Sequence, residues 1–148
     1  MFATVTMPAP SQPRPSASII LIAPTNKILL LQRVQKSSTY PSAWVFPGGN
    51  LSQYQDGTDE DLTNRDSEAY RIAAIRELFE ESGVLLVRRP GQEGTEAIEI
   101  TEELREQGRS ETYNNKVCFR GWLATQNLVA ATGMLSPETH SSFVTVSI

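Results

Sequence analysis

Between Ser67 and Gly83 runs the segment "SEAYRIAAIRELFEESG", whose residues sort into two chemically distinct sides when wound as an α-helix. At about 100° per residue, with Glu77 set at zero, Glu81 falls near 40° and Glu80 near 300°. Ile72, Ile75, Leu78 and Phe79 fall between roughly 100° and 220° on the same wheel. One side is therefore apolar and suited to burial against a sheet. The other carries Glu77, Glu80 and Glu81, with Ala73 beside them. Asp66 or Ser67 can cap the first turn, and Gly83 is placed to end the last one.

Around this helix the pattern predicts strands. "SIILIA" (Ser18 to Ala23) and "KILLLQRV" (Lys27 to Val34) are β-branched and leucine-rich runs separated by "PTN", which reads as a tight turn. "AWVF" at Ala43 to Phe46 is a third strand and ends on "PGG". Asn50 to Asp66 is polar and aperiodic, so the expectation is a surface loop. After the helix, "VLLVRR" reads as a strand, Thr95 to Gln107 and Asn115 to Gln126 as helices, and "SFVTVSI" as a closing strand. The order predicts one mixed α/β or α+β domain over residues 17–148, preceded by a flexible, proline-rich lead-in at 1–16.

Composition narrows the partners. A chain of 148 residues closes one core, and its net charge of −4 has no basic block to offset it. Duplex nucleic acid and anionic membrane surfaces are thereby disfavoured. A phosphate-bearing substrate would need a cation between it and the acidic groups. No apolar run approaches a membrane span, so a soluble protein is expected. The single Cys118 permits no internal disulfide and suits an intracellular, reducing compartment; it and the lone His140 are read as packing residues. The tail "VSI" is not the peroxisomal tripeptide, and no other targeting signal is clear, which leaves cytoplasm and peroxisome both open.

Three glutamates this close repel one another, and near a helix C-terminus they also oppose the macrodipole. Arg71 and Arg76 can relieve part of that repulsion. A divalent cation relieves more of it, because hard oxygen ligands at i, i+3 and i+4 can converge on Mg²⁺ or Mn²⁺. On spacing alone, a solvated acidic face and a metal site stand level.

The wider pattern favours the metal. "PGG" at Pro47 to Gly49, then Glu68, then "RELFEESGV" from Arg76 to Val84 resembles the Nudix box of the Nudix hydrolases. Seven residues separate Glu68 from Arg76, as in that family, and Arg76, Glu77, Leu78, Glu80, Glu81, Gly83 and Val84 all match. One departure is an insertion of thirteen residues between the glycine and the first glutamate. Its acidic core "DGTDED" does not follow the order of a calcium loop and is read as solvated.

The resemblance implies an α/β/α sandwich on a mixed β-sheet and a metal-dependent hydrolase that cleaves a nucleoside diphosphate linked to another moiety. It implies Mg²⁺ or Mn²⁺ held by Glu77, Glu80, Glu81 and the carbonyl of Gly49, with Arg76 and Glu68 keeping the box in shape. Glu80 and Glu77 are then candidates for the catalytic base, with Glu138 as an outside choice. Gly48 and Gly49 would let the backbone approach metal or phosphate, and Arg33 and Lys36 would meet phosphates. The stretch "ILLLQRVQKSSTYPSAWVFPGGNL" is similar to the coenzyme A diphosphatase branch, which implies coenzyme A or an acyl-CoA as substrate. The competing expectation is a Nudix-fold module that binds nucleotide or protein without turnover. The resemblance fades after about Val87, and the short C-terminal part predicts a truncated fold. A missing strand would leave an open edge that a homodimer partner would cover.

Overall fold

The computed structural model describes residues 13–57, 63–92 and 98–136 in full, and the backbone of 137 and 143–147. Most of the lead-in, the last four residues of "DGTDED", the start of the helix expected at Thr95, Glu138 and His140 lie outside the described residues.

"SASIILI" forms the central strand β1 (Ser16–Ile22), and its alternation is visible in burial, since Ala17, Ile19 and Leu21 all face the core. Two short strands follow, β2 (Leu31–Gln32) and β3 (Trp44–Val45), which pair antiparallel as a separate ribbon. The expected strand from Lys27 to Val34 is thus reduced to two residues plus a bridge between Ile22 and Ile28. Its partner is short because Ser42 turns the chain with a φ of 61° and Pro47 has no N–H to extend the ladder.

"PGG" does not end a strand; it starts one. β4 (Gly48–Asn50) lies antiparallel to β1, with Ala17 opposite Gly49 and Ser18 opposite Gly48. On its other side β1 runs parallel to β8 (Phe143–Ser147), which pairs antiparallel with β7 (Ser136–Pro137). The result is a mixed four-stranded sheet of order β4-β1-β8-β7. The expected strand at "VLLVRR" shrinks to β5 (Val87–Arg88), paired with β6 (Val129–Ala130).

Among the described residues four α-helices stand beside the strands: α1 (Gln53–Asp56), α2 (Glu68–Ser82), α3 (Glu102–Tyr113) and α4 (Phe119–Thr125). α2 lies against β1 and β4 and buries Ile72, Ile75, Leu78 and Phe79, as its apolar side predicts. Gly83 closes it in the left-handed conformation, φ 77°, with its N–H on the Phe79 carbonyl at 2.9 Å. Phe79 stacks on Trp122 at 5.2 Å and meets Phe119 at 6.0 Å, joining α2 to α4.

Two helix boundaries differ from expectation. α3 starts later, because Thr101 caps it by accepting the Leu104 N–H, and it runs through Gly108, whose missing side chain makes room for the Trp122 indole. The second helix begins at Phe119 and not at Asn115, because Asn115 takes a φ of 54° to turn the chain. Among the described residues no helix is long and apolar enough to cross a membrane.

Candidate active site

The expected loop from Asn50 to Asp66 contains the structure's most consequential correction. Ser52 accepts the Gln55 N–H and caps α1, which carries two polar residues, Gln55 and Asp56, into the interior. Gln55 clamps the α3–α4 junction. Its Nε2 donates to the carbonyls of Thr112 and Val117 and to Asn115 Oδ1, while its Oε1 accepts the Phe119 N–H at 2.6 Å. Asp56, read from sequence as part of a solvated acidic core, is fully enclosed and receives Arg76: Nε to Oδ1 at 2.7 Å and Nη2 to Oδ2 at 3.1 Å.

Arg76 is consequently the hub of the site. Besides Asp56 it donates to the Asn50 carbonyl at 3.0 Å and to Glu77 Oε1 at 2.7 Å, and stands 3.4 Å from Glu80 Oε1. Burial alone would lower the pKa of its guanidinium, but the Asp56 hydrogen bond and charge, with Glu77 and Glu80, hold it above its ordinary value. Arg71 does not share this work. It reaches the other way, to Asp66 and to the carbonyls of Thr132 and Leu135, while Glu68 accepts the Thr132 hydroxyl at 3.1 Å. These contacts fasten the N-terminal end of α2 to the turn at Thr132–Met134.

The glutamate side is not a solvated face. The side chains of Glu77 and Glu80 are 13% and 9% exposed, and Ala73 is fully buried. Glu81 is more open and accepts the Gly48 N–H at 3.0 Å. Gly49 lies against Glu77 so closely that a Cβ on it would stand 2.5 Å from Oε1. Desolvation pushes the Glu80 carboxyl above its ordinary pKa; Arg76 opposes the shift and Glu77 adds to it. Partial desolvation also raises Glu81, against the Gly48 hydrogen bond and with help from the Glu77 charge; Arg33 lowers it. Arg33 is thus placed by its field on the Glu81 side, where its own guanidinium is exposed and donates to Ser37 Oγ.

Glu77 and Glu81 therefore meet the Gly48–Gly49 backbone, while Glu80 faces Arg76 and α3. Among the described residues no three His, Cys, Asp or Glu side chains converge as a finished metal cage. The donor set nevertheless suits a hard cation: the candidate ligands are carboxylate oxygens, and Gly49 leaves the space beside Glu77 free of side chain. Sequence reading missed Asp56, Gln55 and Thr132. All three act through partners at least twenty residues away, which no local pattern reports.

Comparison with known proteins identifies the family. The NUDIX domain family model matches residues 12–139. Over 89 residues, 60% of this chain, it is 40% identical to "Putative nudix hydrolase 7" of Caenorhabditis elegans, covering 28% of that protein. It is 34% identical over 118 residues to the acyl-coenzyme A diphosphatase NUDT19 of Xenopus laevis, covering 54% of this chain and 31% of that one. The chain thus spans less than a third of the length of these two relatives. In fold it is similar to a crystal structure of a Nudix hydrolase from Alicyclobacillus acidocaldarius, with a TM-score of 0.60 at 19% identity, over 94% of this chain and 69% of the other. The mixed sheet, the helix that carries the glutamates and the match over most of its length agree: the chain belongs to the NUDIX family.

Proposed function

We propose that this chain hydrolyses the pyrophosphate of a nucleoside diphosphate linked to another moiety, with Mg²⁺ or Mn²⁺ as cofactor and coenzyme A or an acyl-CoA as substrate. The observation that carries the reading is the enclosure of Glu77 and Glu80 around Arg76, with Glu81 turned to the Gly48 N–H. Carboxylates meant only for solubility would not be desolvated in this way. The similarity to an acyl-coenzyme A diphosphatase supports the substrate class.

In this reading Glu77, Glu80, Glu81 and the Gly49 carbonyl hold the metal. The ion, when bound, neutralises the pyrophosphate and acidifies a coordinated water. Arg76 fixes the rotamers of Glu77 and Glu80, so the carboxylates are set before substrate arrives. Glu80 and Glu77 are the two candidates for the base that takes the proton from that water, a role open to whichever carboxylate oxygen is left free by the ion. Arg33, on the Glu81 side, offers a cation to a phosphate oxygen.

The test is Mg²⁺-dependent release of phosphomonoester products from coenzyme A, NADH, ADP-ribose and diadenosine polyphosphates, run beside Glu80→Gln. Turnover of coenzyme A that falls by about 10²-fold or more in the variant is the expected result. A folded wild type without turnover on any of the four would remove the hydrolase reading. It would favour the module that binds nucleotide or protein without turnover.

A further inference from the structure

The Glu80 side of α2 does not open directly to solvent. α3 lies along it, and between them is a cavity of about 250 Å³ lined by Glu80, Glu106, Arg109, Ser110, Tyr113 and Asn114. Several of its polar groups already have partners. Arg109 Nε donates to the Glu80 carbonyl at 3.0 Å and Nη1 to Glu106 Oε1 at 2.8 Å, while Asn114 Nδ2 donates to the Ser110 carbonyl at 2.7 Å. The Arg109 charge is offset by Glu106 and the Glu80 carboxylate by Arg76. The lining therefore offers phosphate no unpaired cation.

It suits a neutral ring. Tyr113 belongs to the lining and is 67% exposed, so much of its surface is open to a ligand. Glu106 commits Oε1 to Arg109, and a carboxylate accepts at both oxygens, so it can also take an exocyclic N–H. A flat, amino-substituted heterocycle meets both features at once; a sugar lacks the aromatic face, and a phosphate finds no unpaired cation.

The position also fits. Glu80 and Glu81 stand about 100° apart around α2, which on a helix roughly 10 Å wide separates their side chains by several ångströms, on the order of the span of a ribose. A base beside Glu80 would leave its diphosphate near the Gly48–Gly49 backbone on the Glu81 side.

We infer that the α2–α3 cavity is the nucleobase site and takes an amino-substituted purine, stacked on Tyr113 with its exocyclic amine directed to Glu106. The inference rests on the nucleoside-diphosphate reading above and gives α3 the task of choosing the base.

Steady-state kinetics on coenzyme A with Tyr113→Leu and Tyr113→Phe test it, with calorimetric titration of ADP and UDP in Mg²⁺ as a readout independent of turnover. Loss of one stacking contact should raise KM about tenfold while kcat stays within about twofold, and Tyr113→Phe, which keeps the ring, should restore KM. ADP should bind the wild type more tightly than UDP, and Tyr113→Leu should erase the difference. A folded Tyr113→Leu with unchanged KM and unchanged preference for ADP would overturn the base site while leaving the hydrolase reading intact. A wild type without turnover that still prefers ADP through Tyr113 would sink the hydrolase reading and sustain the base site.

Discussion

Asp56 and Arg76 form a two-point ion pair across twenty residues of sequence, Nε–Oδ1 2.7 Å and Nη2–Oδ2 3.1 Å, with side chains 0% and 5% exposed. The pair joins a residue of the lengthened loop to the first residue of the "RELFEESGV" motif. An enclosed charge that loses its partner is costly, and here the orphan would be the arginine that positions two glutamates.

Asp56→Asn should accordingly destabilise the chain by about 3–5 kcal/mol, read as a lower urea midpoint with little change in m-value. Asp66→Asn, which removes an ion pair with a half-exposed carboxylate, should cost less than about 1 kcal/mol. Equal midpoints for the two variants would show that the enclosed pair does not hold α1 to α2.

Gly49→Ala separates site geometry from stability. The added Cβ would meet the Glu77 carboxylate, the movable end of a side chain, so the fold should lose no more than about 1.5 kcal/mol. Glu77 must then leave its place, and turnover of coenzyme A should fall by roughly 10²-fold. A variant with normal activity would argue that Glu77 is not held where the chemistry occurs.

The raised pKa values of Glu80 and Glu81 give a pH signature. In metal-free protein the folded state keeps protons that the unfolded state has released, so between 4.5 and the raised values stability falls as pH rises. Their contribution is complete below 4.5 and is lost as pH climbs through the folded-state values. It is read as the difference in melting temperature between the wild type and Glu80→Gln/Glu81→Gln. With Mg²⁺ present the trend should invert, because the ion requires both carboxylates ionised and binds the native state. A difference that does not vary between pH 4.5 and 7 would mean that neither carboxyl is desolvated as described.

The local parts of this site were legible in the sequence because they are periodic. The sides of α2, the stop at Gly83 and the spacing of Glu77, Glu80 and Glu81 follow from the helical repeat alone. β1 followed from its β-branched run. What escaped was set by distant partners. Gln55 and Asp56 look like loop residues until Phe119 and Arg76 are brought to them, and Gly108 looks like a helix break until Trp122 fills the space beside it. "KILLLQRV" carries enough apolar residues for a long strand, but pairing also needs a partner of equal length, and Pro47 and the turn at Ser42 limit that partner to two residues.

The lengthened loop is fastened at both ends to the same helix: Asp56 to Arg76 and Asp66 to Arg71. With its two ends riveted, the span between them can change length without dragging on the glutamates. Closing a longer span costs free energy that grows only with the logarithm of its length, so doubling it adds about 0.6 kcal/mol. The motif thus has a place where sequence can be added at little cost in free energy, and the two arginines leave α2 indifferent to how much is added.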